Sequence, residues 1–325
     1  MARISSEYFQ RIDKSPSSLF SWLATLPMHM PILRNNRWLI TLNRYMGTTR
    51  LPFIELGSDV QKNPPIEIVF VSTRKDFNSL EKSIPFAIEA TSNQQSIAIK
   101  IVVPQADLLL CNQLVAKLDL QNAKVISENT IVPEHLISAL RARFGWRTGW
   151  VLQQILKVEC VKNSDFPGVL IIDSDTLLLN RRTWLKADST QLLCASWEYN
   201  ASYYHFLNKK GLVDIFPEFT FVTHHMLMQP KFLIEALNFM GWHSLELLVD
   251  YLIKESNPND DSPFCIEYEL YGQYMFKFHR DLVSLQKWSN ISVPPSLINE
   301  NLPLAKQVSG WKDDFYSISL HSYLE

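Results

Sequence analysis

Short, almost wholly apolar runs alternate with longer amphipathic stretches from residue 66 onward. Residues 66–71 (IEIVFV) are largely β-branched and stop at Ser72 and Thr73, and residues 97–103 (IAIKIVV) repeat the pattern and stop at Pro104. Residues 124–127 and 168–172 (GVLII) are two further runs. Between them lie a helical stretch at residues 108–118 and a longer helical region whose last part, residues 150–160, sets Val151, Ile155 and Val158 on one stripe. Strands this apolar, separated by helices, suit a parallel sheet covered on both faces. The predicted fold class is α/β, a Rossmann-type α/β/α sandwich with a mostly parallel central sheet.

The pattern changes on either side of this block. Residues 1–62 read as a mostly helical extension, closed by the polar stretch 58–65. Inside it residues 19–33 (LFSWLATLPMHMPIL) are apolar but interrupted by Pro27 and Pro31, too short and too broken to span a bilayer. Packing on the core is the expectation for them. The alternative is a peripheral membrane contact, an interfacial patch followed by Arg34 and Arg37. In the later half, runs at 192–197 and 220–228 carry more aromatics and histidines, helices are expected over 231–240 and 245–254, and Ser262-Pro263-Phe264 reads as a helix start.

Composition narrows the choices. With 325 residues, 46% hydrophobic and 12% aromatic, the chain can bury a substantial core. A net charge of -2 argues against a dedicated nucleic-acid binder, which would show a basic surplus. The four cysteines, Cys111, Cys160, Cys194 and Cys265, have neither zinc-site nor disulfide-framework spacing, and the N-terminus lacks the apolar core of a secretory signal. A cytoplasmic protein with reduced thiols is the expectation. Neither GxGxxG nor GxxxxGK[ST] occurs, so phosphate would have to be held by other means, a metal ion being the obvious one.

The chemistry concentrates in residues 168–179 (GVLIIDSDTLLL). A buried strand ends in two carboxylates, Asp173 and Asp175, which in an extended chain point to the same side. Ligands of open α/β sheets sit beyond the carboxyl ends of strands. Two close carboxylates repel unless a cation or proton lies between them, and Mg²⁺ or Mn²⁺ is typically bound by one or two carboxylates with waters and substrate phosphates. A strand-end turn rich in Asp and Ser is the bland alternative.

The run VLIIDSDTLLL resembles the DxD strand of GT-A-type glycosyltransferases. More narrowly, residues 144–157 (FGWRTGWVLQQILK) resemble the helix before the DxD strand in a bacterial glycosyltransferase family, and residues 267–272 (EYELYG) resemble a later motif of that family. The likeness covers about residues 64–285. It implies a GT-A-like domain over 63–325, with a nucleotide-binding half (63–180) and an acceptor-binding half (181–325). It also implies a Mn²⁺ or Mg²⁺ ion on Asp173 and Asp175, a UDP-, GDP- or CMP-linked sugar donor, and a glycan or lipid-linked acceptor, as in surface polysaccharide synthesis.

Further candidates follow. Thr73 and Asp76, at the end of the first strand, are placed near the base or ribose, and Ser174, Gln154 and Lys157 near the donor. Thr73 and Asp76 also suit an ordinary helix cap, and Gln154 and Lys157 a solvated helix face. His224 and His225 are adjacent in an apolar run and would point to opposite faces of a strand, one towards the acceptor and the other into the core. Phe264, Tyr268, Tyr271 and Met275 are expected to form the core face of the last long helix. A base that takes the acceptor's proton is expected at Glu267, with Glu269 second. The resemblance also implies a further metal ligand, commonly histidine, for which His279 and His321 are the options. Two rivals remain open: a DxDxT-type phosphatase, to which DSDT is similar and for which Asp260 and Asp261 would be a later acidic pair, and a catalytically inactive carbohydrate-binding protein.

Overall fold

The apolar runs form strands where their pattern places them. In the computed structural model, which describes residues 63–93, 97–196, 200–214, 217, 219–257, 263–299, 302–321 and 324, the strands are β1 (Ile66–Val71), β2 (Ala98–Val103), β3 (Ala123–Ser127), β4 (Gly168–Asp173), β5 (Thr176–Leu178), β6 (Gln191–Ala195), β7 (His225–Met228), β8 (Val283–Lys287), β9 (Asn290–Val293) and β10 (Ser317–Leu320). The helices are α1 (Phe77–Glu89), α2 (Leu108–Lys117), α3 (Glu134–Phe144), α4 (Thr148–Lys162), α5 (Ala201–Asn208), α6 (Pro230–Met240), α7 (Leu245–Glu255), α8 (Tyr268–Phe278) and α9 (Leu304–Val308). The expected N-terminal extension, with its apolar stretch 19–33, lies outside the described residues, as do Asp260, Asp261 and Ser262.

The central sheet has the order β3-β2-β1-β4-β7, parallel throughout except for β7. Period-two alternation sorts its side chains into two cores. Ile66, Ile68, Phe70, Leu170 and Ile172 pack with Leu80 and Ile84 of α1 and Cys111 and Leu114 of α2. Val69, Val71, Val169 and Ile171 pack with residues of α3, α4, α6 and α8 on the other face. The result is the expected three-layer α/β/α arrangement.

The strand order decides where a ligand can sit. The chain lays β2 and β3 outward on one side of β1, then returns to place β4 on the other. That reversal makes the carboxyl ends of β1 and β4 the topological switch point, the usual ligand crevice of such sheets. Register pairs Val71 with Asp173 there. A second sheet, β5-β10-β9, brings the C-terminal part of the chain to the same edge.

Two expectations change. The run 220–228 is a strand only from His225 onward, because His224 adopts a positive φ of 59°, a left-handed conformation that interrupts extended pairing. The last long helix starts at Tyr268 and not near Phe264. Phe264 lies ahead of it, fully buried against the rings of Phe144, Trp150 and Phe206.

Gly272 on α8 is a site where only glycine fits. A Cβ there would stand 2.4 Å from Cγ and 2.6 Å from Cβ of Phe221. Gly272→Ala must move the helix or the Phe221 segment, and overpacking of this kind costs about 1–3 kcal/mol. Urea unfolding should show a lower midpoint with an unchanged slope. A midpoint equal to that of the wild type would show that the helix is not seated on Phe221.

Candidate functional site at the carboxyl ends of β1 and β4

Asp173 is the last residue of β4, and its backbone N–H donates to the His224 carbonyl at 2.8 Å, extending the β4–β7 ladder by one step. Ser174 follows in a tight turn whose carbonyl accepts from Ser83 Oγ of α1 at 3.0 Å. Asp175 leads into β5, and its carbonyl accepts from Leu320 N at 2.8 Å. Because β5 and β10 run antiparallel, this bond sets His321 beside Asp175, Nδ1 to Oδ2 at 3.2 Å. The two aspartates are therefore anchored by different neighbours.

Asp173 is held by three groups. Lys157 Nζ of α4 donates to Oδ1 at 2.5 Å, the Tyr268 hydroxyl donates to the same oxygen at 2.8 Å, and His224 Nδ1 lies 3.1 Å from Oδ2. Burial pushes the Asp173 carboxyl up, but the Lys157 charge and the His224 hydrogen bond outweigh it and hold it below its ordinary 3.8. Lys157 is 2% exposed and also reaches Glu267 Oε1 at 3.5 Å, the Tyr268 hydroxyl at 3.3 Å and the face of the Tyr268 ring. Burial alone would lower its ammonium, and the charges of Asp173 and Glu267 raise it instead. Lys157 is thus a buried cation between two carboxylates. The sequence pattern had offered it to a donor or to solvent, because the segment that covers this face of α4 lies over a hundred residues further along the chain.

Asp175 keeps 29% side-chain exposure beside His321. The His224 ring stands 5.3 Å from that of His321 and 5.4 Å from that of Trp288, so an aromatic shelf borders both aspartates. Trp288 carried no signal in sequence, since β8 and β9 are needed to bring it here. On the other side, Thr73 Oγ1 donates to Asp76 Oδ2 at 3.3 Å in the turn after β1. Asp76 is pushed above 3.8 mainly by burial, with the nearby charge of Asp175 adding to the rise. Five acidic and imidazole groups from four chain segments, Asp76, Asp173 with Asp175, His224 and His321, therefore meet at the switch point.

Among the described residues no three of His, Cys, Asp and Glu cluster closely enough to hold a metal ion unaided. The two oxygens of Asp173 face Lys157, Tyr268 and His224. Asp175 and His321 remain as an adjacent oxygen and nitrogen pair. A donor set of that kind fits Mg²⁺ or Mn²⁺, which leaves several positions to water and substrate phosphate.

The EYELYG motif divides by face. Glu267, 5% exposed, and Tyr268 turn to Lys157, and burial pushes the Glu267 carboxyl up to about 7, Lys157 opposing the rise. Glu269, offered as an alternative base, is fully buried elsewhere. It accepts from Phe221 N at 2.6 Å and Gln273 Nε2 at 3.0 Å, a brace for the backbone rather than a group facing the site. The Tyr271 hydroxyl donates to Gln191 Oε1 and accepts from Gln229 N. Gln154 is not on a solvated face: it is 2% exposed and its Oε1 accepts from Ile266 N at 2.9 Å.

Two histidines fall outside the cluster. His279 pairs with Glu235 at 2.9 Å and lies on the Phe232 ring. It caps α8 at the end opposite Tyr268, about 16 Å along the axis by helical rise, so it is no ligand for this site. His225, the first residue of β7, is buried with its ring edge-on to Trp184, centroids 5.5 Å apart. Burial, with the charges of Arg182 and His224, lowers its pKa from 6.5 to about 3. Its contribution to stability is complete above about pH 6.5. It is lost as pH falls below that value, at about 1.4 kcal/mol per pH unit, because the unfolded chain takes up the proton first. The difference in unfolding free energy between the wild type and His225→Phe, measured from pH 7 to pH 5, should carry this slope, since the opposite slope from the raised Glu267 carboxyl is common to both. A difference between the two that does not change with pH would place His225 in contact with water.

A family of unknown function (DUF6492) matches residues 80–211, which include Lys157, Asp173 and Asp175. No curated protein matches the sequence. Among solved structures, the chain is similar to mouse xyloside xylosyltransferase 1, at 11% identity and a TM-score of 0.44, over 80% of this chain and 100% of that one. It is similar to the bifunctional glycosyltransferase WbbM at 12% identity and a TM-score of 0.46, over 82% of this chain and 47% of that one. It is also similar to the galactosyltransferase LgtC in complex with donor and acceptor sugar analogues, at 14% identity and a TM-score of 0.41, over 78% and 86% of the two chains.

Proposed function

We propose that the chain is a glycosyltransferase that moves a sugar from a nucleotide-sugar donor to a hydroxyl of a glycan or lipid-linked acceptor, as in surface polysaccharide synthesis. The observation that carries this reading is the meeting of Asp173, Asp175, His321 and His224 at the switch point of a mostly parallel sheet. Asp175 and His321 would hold Mn²⁺ or Mg²⁺, with Asp173 fixed beside them by Lys157. A divalent cation there would offset the charge that builds on the departing diphosphate. Asp76 and Thr73 border the donor's nucleoside end. The acceptor oxygen attacks the anomeric carbon, the bond from that carbon to the diphosphate breaks, and Glu267 takes the hydroxyl proton. A carboxyl poised near pH 7 is suited to that task.

The phosphatase reading makes a different demand on Asp173. As a nucleophile it would attack phosphorus, which requires a carboxylate oxygen open to substrate, whereas Oδ1 and Oδ2 are both engaged. The two are separated by assaying UDP-, GDP- and CMP-sugars with manganese alongside simple phosphomonoesters. The transferase reading expects slow nucleotide release that acceptor glycans accelerate. Robust phosphomonoester hydrolysis that Asp173→Asn abolishes would overturn it. Among the described residues no helix is long and apolar enough to cross a membrane. Peripheral contact through residues 19–33 remains part of the proposal and is read by vesicle co-sedimentation of the full chain.

A further inference from the structure

Helix α1 carries a buried serine where helix and core alone would favour alanine. Ser83 is fully buried, on the side of α1 from which Leu80, Ile84 and Ala87 pack on the central sheet and Phe86 on the second sheet. Alanine would fill that space with a higher helix propensity and no hydroxyl to satisfy. Hydroxyls on helices commonly turn back on the carbonyl four residues earlier, as Thr91 Oγ1 does on the Ala87 carbonyl at 2.9 Å. Ser83 Oγ instead reaches out of its helix and donates to the Ser174 carbonyl at 3.0 Å.

That carbonyl sits where the chain passes from one sheet to the other. β4 ends at Asp173 and β5 begins at Thr176, so Ser174 and Asp175 alone make the crossing. A carbonyl lies in one rigid plane with the nitrogen and Cα of the next residue. The Ser83 bond therefore fixes the peptide plane that enters Asp175, and the bond from Leu320 N fixes the plane that leaves it. His321 is pinned by its own N–H, which donates to the Val293 carbonyl at 3.0 Å. The carboxylate and the imidazole that meet at 3.2 Å thus each hang from a held backbone. Since α1 follows Asp76 directly, one rigid element joins the turn after β1 to the turn after β4.

Resting on the transferase reading above, which sets a divalent cation on Asp175 and His321, we propose that Ser83 is a positioning residue for that cation. It acts through the Ser174 carbonyl, from inside the fold. Its bond holds the Asp175 carboxylate beside the His321 imidazole in advance, so binding does not have to order the turn. Without it the Ser174 carbonyl loses this partner, and Asp175 is held from the Leu320 side alone.

The test is manganese binding to the full chain, read from the loss of the free ion's electron paramagnetic resonance signal, beside melting temperatures in EDTA. Ser83→Ala should weaken binding by about tenfold or more, the usual effect of removing a group that orients a metal ligand. Ser83→Cys, a weaker donor of similar size, should fall between it and the wild type. Thr91→Val is the control. It also removes a buried hydroxyl, at the C-terminal end of α1, and should lower the melting temperature while leaving manganese affinity unchanged. The proposal is overturned if Ser83→Ala binds manganese as tightly as the wild type, if Thr91→Val weakens binding as much, or if the wild type binds none. Manganese binding that depends on Ser83, with no melting shift from UDP, GDP, CDP or CMP, would sink the transferase reading and leave the role of Ser83 standing.

Discussion

Lys157→Met should be among the most damaging single substitutions in the chain, lowering stability by about 3–5 kcal/mol. The methionine fits the same space, so the loss comes from charge. Asp173 and Glu267 would face each other without the cation now between them. Adding Glu267→Gln removes one of the two stranded charges and should restore part of the loss, so the pair of substitutions should be clearly non-additive. Acid sensitivity should change with it. The stability that Asp173 contributes through its lowered pKa is complete above its ordinary 3.8 and is lost as pH falls below that value. In Lys157→Met that contribution shrinks, and the onset of acid unfolding should move to higher pH. Urea titrations at several pH values measure both effects. A single variant within about 1 kcal/mol of the wild type, against the usual cost of breaking a buried pair, would mean that the ammonium is not between the two carboxylates.

Glu267→Gln should lower turnover by about 10² to 10⁴-fold, the usual share of a general base. Donor binding should stay close to that of the wild type, since the base acts on the acceptor. The pH profile gives a second reading. With a carboxyl raised to about 7, the rate should climb as pH passes through that value and Glu267 loses its proton, and the climb should vanish in Glu267→Gln. Glu269→Gln behaves differently: it disturbs the Phe221 brace and should reduce stability before it reduces the catalytic rate of folded protein. Retention of near-normal turnover in Glu267→Gln, or a product that keeps the donor's anomeric configuration, would remove Glu267 from the role.

The sheet was legible in sequence because each of its first four strands is a local apolar run ended by a polar stop. Asp173 and Asp175 were legible for the same reason, as carboxylates at the end of such a run. What surrounds them was not. His321 meets Asp175 only through the pairing of β5 with β10, 146 positions apart in sequence. Tyr268 belonged by helical spacing to a core face, yet its hydroxyl reaches the site because α8 starts beside Asp173. Local pattern also misread Gln154 and Lys157, whose polar face on α4 reads as exposed until residues 264–268 are laid over it. Strand alternation was expected to part His224 from His225, but His224 lies ahead of β7 in a left-handed turn that no local pattern signals, and its ring stands beside Asp173.

The central claim is that a divalent cation at Asp175 and His321 joins the chain to a nucleotide diphosphate, and melting temperature read with and without manganese tests it most directly. UDP, GDP, CDP and CMP are each added to the wild type, to Asp175→Asn and to His321→Ala. The account predicts that at least one nucleotide stabilises the wild type with manganese, by about 2.7 kcal/mol at a hundredfold excess over its dissociation constant. EDTA should erase the shift, and both variants should keep their fold while losing it. No shift with any nucleotide, a shift that survives EDTA, or an undiminished shift in Asp175→Asn would contradict the account.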